Sequence, residues 1–261
     1  MTTIVLIHGG WHGGWCWKKL VPLLRLRGHD VHAPTLTGLG ERAHLLSPEI
    51  SLSTHVQDIV ALLTYEDLQE VMLVGHSYGG MVMTSVAEAV PHRLTQLVYL
   101  DAFVPQDGQA LADLAAPAFY AGLEARAKAE GEGWRVPPPP LARWGITEES
   151  DLDWMRDRVG PHPLKTFKEP VRLRDQVAAT LPRTFIYCTD KPAGDSLAPL
   201  AKRLREEAGW SYRELPAGHD VMVTAPEDVA AMLDEIGRAP QSFGPSRAID
   251  AVFGVPLISV Q

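Results

Sequence analysis

Apolar residues recur along this chain in two patterns that alternate. Short continuous runs, "TIVLI" near the start, then "EVMLVG", "LTQLVYLDAF" and "RTFIYCT", have the length and branched content of strands buried on both faces. "HDVHAP" and "WSYRELPAG" read as two further strands, shorter or more polar. Between them, apolar positions return at helical spacing. "WCWKKLVPLLRLRG" places Trp17, Leu20, Leu23 and Leu24 on one face and stops at Gly28. "STHVQDIVALLTY" opens on a Ser/Thr cap, and "GGMVMTSVAEAV" ends before Pro91. "LAPLAKRLREEAG" and "APEDVAAMLDEIGR" are the last two helices. Strands and helices in alternation predict a parallel sheet covered by helices on both faces.

The rhythm breaks between about Pro105 and Asp175. That stretch is rich in Ala, Pro and Trp, carries "VPPPPLARWG", and shows no buried-strand pattern. "ADLAAPAFYAGLEARAKAE" and "EESDLDWMRDRV" predict helices, and Trp134, Trp144 and Trp154 supply apolar surface to bury. The expected organisation is a core of residues 1–104 and 176–238, a helical cap at 105–175, and a C-terminal extension at 239–261. The extension ends in residues apolar enough to dock, for instance on a second copy of the chain.

Composition changes this picture little. The chain has 261 residues and a net charge of −8, from 24 Lys and Arg against 32 Asp and Glu, which argues against a nucleic-acid or anionic membrane surface. Two cysteines, Cys16 and Cys188, do not make a disulfide framework. The start lacks the basic and apolar regions of a signal peptide, and no run has the ~18 apolar residues of a membrane span, so the expected location is the cytoplasm.

Chemically loaded residues fall where the predicted strands end, which is where such sheets bind ligands. In "VMLVGHSYGGM" a buried strand runs into Gly-x-Ser-x-Gly and on into a helix. A sharp turn of that kind lifts the Ser77 hydroxyl into a cleft. Gly75 and Gly79 remove side chains that would strike the neighbouring backbone, and Gly80 lets the helix pack closely. The turn aims the Tyr78 amide at developing negative charge. A serine needs a base. Among ten histidines, His219 in "LPAGHDVMVTAP" follows the last strand and precedes the last helix. His76, beside the serine, is expected to point away and support the structure.

Two carboxylates compete to orient the base. Asp101 sits directly on the end of an apolar strand, where an unpaired charge is costly. Asp190 lies in the loop "TDKPAGD", where a carboxylate costs almost nothing. The desolvation argument leans to Asp101, and Asp190 stays open. After the first strand, "HGGWHGG" allows close backbone approach, so the Gly10 amide is expected to pair with that of Tyr78 as an oxyanion hole. His8 and His12 are expected to hold this loop rather than a metal, since no Asp, Glu or third His lies near them in the sequence.

Together "HGGWHGGWCW", "GHSYGG", "VYLDAFVP" and "GHDVM" resemble the α/β-hydrolase superfamily, in the branch of plant methylesterases, hydroxynitrile lyases and small bacterial esterases. Some bacterial members of that branch split carbamate esters such as carbendazim. The resemblance covers the chain to about Arg238. It implies the α/β-hydrolase fold, Ser77 as nucleophile, His219 as base, the Gly10 and Tyr78 amides as oxyanion hole, and no cofactor or metal. The lyases carry a threonine and a lysine where this chain has Gly9 and Asp220, and an anion there would repel cyanide. The expected function is hydrolysis of a small-molecule ester, with Trp11, Trp134 and Trp144 lining the substrate site. The alternatives are a carbamate or amide hydrolase with the same machinery, and a small-molecule binding protein on this scaffold.

Overall fold

The computed structural model describes residues 1–191 and 195–239. The end of the chain, and with it the expected docking role of the extension, lies outside the described residues.

Six strands form one sheet: β1 (Thr3–Ile7), β2 (Asp30–His32), β3 (Val71–His76), β4 (Leu94–Leu100), β7 (Arg183–Cys188) and β8 (Trp210–Leu215). Every pairing among them is parallel, and their order is β2-β1-β3-β4-β7-β8. Every residue of β3, and Ile4 to Ile7 of β1, is buried. That is why these central strands read as unbroken apolar runs. The edge strand β8 is half exposed and correspondingly polar.

Helices cover the sheet on both faces. The first three are α1 (Leu20–Leu26), α2 (Leu52–Tyr65) and α3 (Gly79–Ala89). α1 packs against the final helix, Pro226–Arg238, and α2 packs against α3. Ser51 caps α2 through a reciprocal box with Thr54, so the helix starts before the expected Ser53–Thr54 opening, with Ser53 inside its first turn.

The strand order decides where a ligand can enter. From β1 the chain crosses outward to β2, then returns to β3 on the opposite side of β1. Loops leaving β1 and β3 therefore part at their carboxyl ends and open a crevice there. Between β4 and β7 the chain forms helices, including Pro117–Glu130 and Glu149–Arg156. It also forms one feature with no signature in the apolar pattern. Two-residue strands β5 (Arg135–Val136) and β6 (His162–Pro163) pair antiparallel. Elements this short bury too few residues to show a period.

Candidate active site

Ser77 sits immediately after β3 with φ at +54°. A non-glycine residue in the left-handed region costs of order 1–3 kcal/mol, and such strain persists only where its surroundings enforce it. Here the amides of Gly80 and Phe103 both donate to the Ser77 carbonyl at 3.1 Å. The turn is also crowded beyond what side chains allow. A Cβ on Gly75 would lie 2.7 Å from the Gly79 carbonyl oxygen, and one on Gly9 would lie 2.9 Å from Ser77 Cβ. Trp11 (φ +66°) and Asp101 (φ +44°) share the left-handed conformation. Strained residues thus stand beyond the ends of β1, β3 and β4, three neighbouring strands.

Asp101 is fully buried. Its Oδ2 accepts from His219 Nδ1 at 2.5 Å, and its Oδ1 accepts from the Cys188 amide at 3.1 Å. Lys191 Nζ lies 2.8 Å from Oδ1 and 3.0 Å from Oδ2. Burial opposes the charge. The hydrogen bond from His219 and the nearby His219 and Lys191 charges nonetheless hold the carboxyl below its usual range. Because a carboxylate only accepts, His219 Nδ1 carries a proton, and in the neutral form of the ring Nε2 is then the acceptor. Of the two carboxylates nominated above, Asp101 meets the imidazole. Asp190 is exposed; its backbone amide donates to the Ala217 carbonyl at 3.1 Å, tying its loop to the one that carries His219.

Buried histidines hold the loops around these groups. His8 donates from Nδ1 to the Gly9 carbonyl (2.8 Å) and accepts at Nε2 from the Leu36 amide (3.1 Å), so it is neutral; burial pushes it down to about 3. His76 packs its ring 4.6 Å from that of His219 and donates from Nε2 to the His219 carbonyl at 2.9 Å. This is the supporting part expected of it. His12 faces two acceptors, the Gly10 carbonyl at 2.6 Å and Asp220 Oδ2 at 3.0 Å. Burial opposes its charge, but Asp220 lifts it above the ordinary histidine value.

That contact corrects two expectations. The fold does bring an acid and a third histidine to the first loop, although neither is near it in sequence. And Asp220 is buried against His12 rather than facing the cleft as a repelling anion. Donor atoms of His76, His219 and Asp220 lie within 4.8 Å of one another. His219 is already bonded to Asp101, Asp220 to His12, and His76 to the His219 carbonyl, so the cluster is a hydrogen-bonded brace.

His162 is a supporting residue that the sequence reading missed. It comes from β6, stacks on Phe167 with ring centroids 4.4 Å apart, and accepts at Nδ1 from the Trp11 amide at 3.3 Å. Its Nε2 donates to Thr166, which in turn donates to the Pro163 carbonyl. The Gly10 and Tyr78 amides, by contrast, donate to no group among the described residues. A Cβ on Gly10 would make only ordinary contacts, the nearest with Phe167 at 3.4 Å, so crowding does not demand glycine there.

Ser77, Tyr78 and His219 line one cavity of about 410 Å³. Trp11, Phe103, Phe119, Trp144 and Phe167 make its walls largely aromatic. Arg143 and Lys191 are its cationic groups. Trp134, expected here, does not line it. Its ring faces the Arg135 guanidinium at 5.6 Å and its indole nitrogen lies 3.4 Å from Glu132. Trp154 packs outside the cavity, edge-on to Trp15 at 5.3 Å.

Residues 4–232 match the model of the alpha/beta hydrolase family. The chain belongs to that family. This hydrolase is 38% identical over 245 residues to a carbendazim hydrolyzing esterase of Nocardioides sp. (strain SG-4G), covering 91% of its own length and all of the relative. It is 26% identical over 253 residues to methylesterase 10 of Arabidopsis thaliana, covering 89% and 90%. An extracellular α/β-hydrolase from a Paenibacillus species superposes with a TM-score of 0.79 at 26% identity, over 91% of this chain and all of that one. Among such relatives the protein is a carboxylic ester hydrolase. None of its helices among the described residues is long and apolar enough to cross a membrane.

Proposed function

We propose that this hydrolase cleaves small esters through an acyl-enzyme on Ser77, with His219 as base and Asp101 as the acid that orients it. The observation that carries the reading is the 2.5 Å contact from His219 Nδ1 to Asp101 Oδ2 beside the cavity that Ser77 lines. In this mechanism the bare Nε2 of His219 takes the Ser77 proton as Oγ attacks the substrate carbonyl. The resulting oxyanion is held by the Gly10 and Tyr78 amides, each such donor being worth about 3 kcal/mol of transition-state stabilisation. The imidazolium then protonates the leaving alcohol. A water, deprotonated by the same nitrogen, releases the acid and restores the serine.

The aromatic walls suit a substrate with a flat apolar group beside the carbonyl. A carbamate substrate is the second reading, favoured by full-length similarity to the carbendazim hydrolyzing esterase. Rates on matched aryl ester, carbamate and amide substrates separate the two. Ser77→Ala is expected to keep its melting temperature and lose aryl-ester hydrolysis; retained turnover in a clean preparation contradicts the reading. Asp101→Asn is expected to lose about four orders of magnitude in rate, and Asp190→Asn little. The reverse result moves the acid to Asp190.

A further inference from the structure

Lys191 is the least expected neighbour of the proposed triad. It follows β7 in the loop that the sequence marks only as polar, yet its side chain is 6% exposed. Besides both oxygens of Asp101, its ammonium contacts Asp195 Oδ2 at 2.7 Å and sits 4.2 Å above the centre of the Tyr187 ring. Asp195 is itself fixed, accepting from the Tyr187 hydroxyl at 3.0 Å and from the Leu197 amide at 3.1 Å. The ammonium is therefore caged by two carboxylates and an aromatic face rather than left to solvent.

We propose that Lys191 is a positioning residue for this hydrolase, clamped by Asp195 so that it holds the Asp101 carboxylate with one oxygen on His219 and balances part of its charge. The proposal rests on Asp101 being the working partner of His219. Its physical content is orientation and charge. With Lys191 and the Cys188 amide on Oδ1, the carboxylate cannot rotate away from the imidazole without breaking both bonds. Asp101, Lys191 and Asp195 together present one negative charge to the ring. Removing the lysine leaves two, and removing the Asp195 charge leaves none.

The other groups around His219 do not change between those two variants. His76, from β3, is pushed down to about 3 by burial and is neutral. Asp220, on the same loop as His219, is paired with His12. Beneath Lys191, burial pushes both the Tyr187 hydroxyl and the Cys188 thiol up, so neither carries charge. Arg143, which also lines the cavity, lies over the Phe119 ring at 5.3 Å.

The test is the pH dependence of kcat/KM on a soluble aryl acetate for wild type, Lys191→Met, Lys191→Arg, Asp195→Asn and Asp101→Asn. For Lys191→Met the stronger negative field favours imidazolium, so the acid limb moves up by about half a pH unit or more. Its plateau kcat falls about tenfold while KM changes little, as expected when a reacting group is misaligned. Asp195→Asn moves the acid limb the other way, and Lys191→Arg returns toward wild type. Limbs that stay put, or that move together, overturn the proposal. If Lys191→Met does not fold by circular dichroism, Asp195→Asn and Lys191→Arg decide the matter by the same criterion. An active Asp101→Asn enzyme would instead show that the acid assignment has failed, whereas an inactive Asp101→Asn together with unmoved limbs in Lys191→Met and Asp195→Asn would sink the role of Lys191 alone.

Discussion

The Trp144 carbonyl accepts a hydrogen bond from the Asp220 amide at 3.0 Å, so the segment inserted between β4 and β7 is fastened to the loop that carries His219. The same two loops touch through bare backbone. Gly145 has φ at +80°, and a Cβ on Gly218 would fall 2.8 Å from Gly145 Cα and 3.0 Å from the Trp144 carbonyl oxygen. Every atom met is main chain, so no side chain can swing aside. Gly218→Ala is expected to cost about 1–3 kcal/mol, as overpacking does. It should also push Trp144 off its place, where its ring lies 4.8 Å from that of His12. The measurement is thermal melting alongside kcat/KM. A variant as stable and as active as wild type would show that the insertion is not held in this way.

Ser77 stood out in the sequence because it follows the unbroken apolar run of β3, whereas His219, behind the more polar β8, stood out only by its place between the last strand and the last helix; the sheet puts both strand ends together. Which carboxylate meets the imidazole was not legible to the same degree. Asp101 and Asp190 both follow strands, and their difference lies in tertiary reach: the β8 loop brings His219 over the end of β4. The cost of burying Asp101 unpaired pointed the right way, because the charge does have partners in His219 and Lys191. His162 left no signal, since a histidine between prolines in "GPHPL" belongs to no period. His12 and Asp220 are 208 residues apart, and no local pattern could have paired them. Trp134 and Trp144 look alike in the sequence. Only the fold of the insertion decides that Trp144 faces the cavity while Trp134 lies against Arg135.

The buried histidines set an acid limit on stability. Burial pushes His8 and His76 down to about 3 and His55 down to about 4, and takes His162 well below its ordinary value. All four bind protons more readily in the unfolded chain, so between about pH 6.5 and pH 4 stability falls as pH falls. Each contributes a slope approaching about 1.4 kcal/mol per pH unit within that window. Asp101 and Asp220 run in the same direction at lower pH. Burial opposes their charges, but the histidines beside them hold both below the usual carboxylate value, and the stability this confers is lost as pH falls through their folded values. His12 acts oppositely. Against the opposition of burial, Asp220 raises it, so its contribution is complete below about pH 6.5 and is lost as pH rises through its folded value. The expected result is a melting temperature that drops steadily from pH 6.5 to pH 4.5, with roughly three to four protons taken up per chain on unfolding near pH 5. A flat profile over that range would mean these rings are not neutral in the folded protein.

His162 offers the sharpest check on how the first loop is held. The Trp11 amide donates to its Nδ1, and Trp11 follows Gly10, whose amide is one of the two proposed oxyanion donors. Trp11 also sits in the left-handed region, anchors its indole nitrogen on the Val136 carbonyl at 2.9 Å and accepts at its carbonyl from the Gly160 amide at 3.1 Å, so its backbone and side chain together make three ties to the insertion. His162→Phe keeps an aromatic ring stacked on Phe167 but leaves the Trp11 amide without its acceptor. A buried donor left unpaired costs about 1–3 kcal/mol, which should appear in the melting temperature. If the loop relaxes to regain a partner, the Gly10 amide shifts with it, and a shift of this kind weakens binding of the oxyanion more than binding of the ground-state ester. The expected signature is therefore a fall in kcat of about tenfold or more with KM nearly unchanged. His162→Gln, which can still place an acceptor near the amide, should recover part of the rate. A raised KM with unchanged kcat would instead mark His162 as part of the cavity's shape and leave the first loop positioned by Trp11 alone.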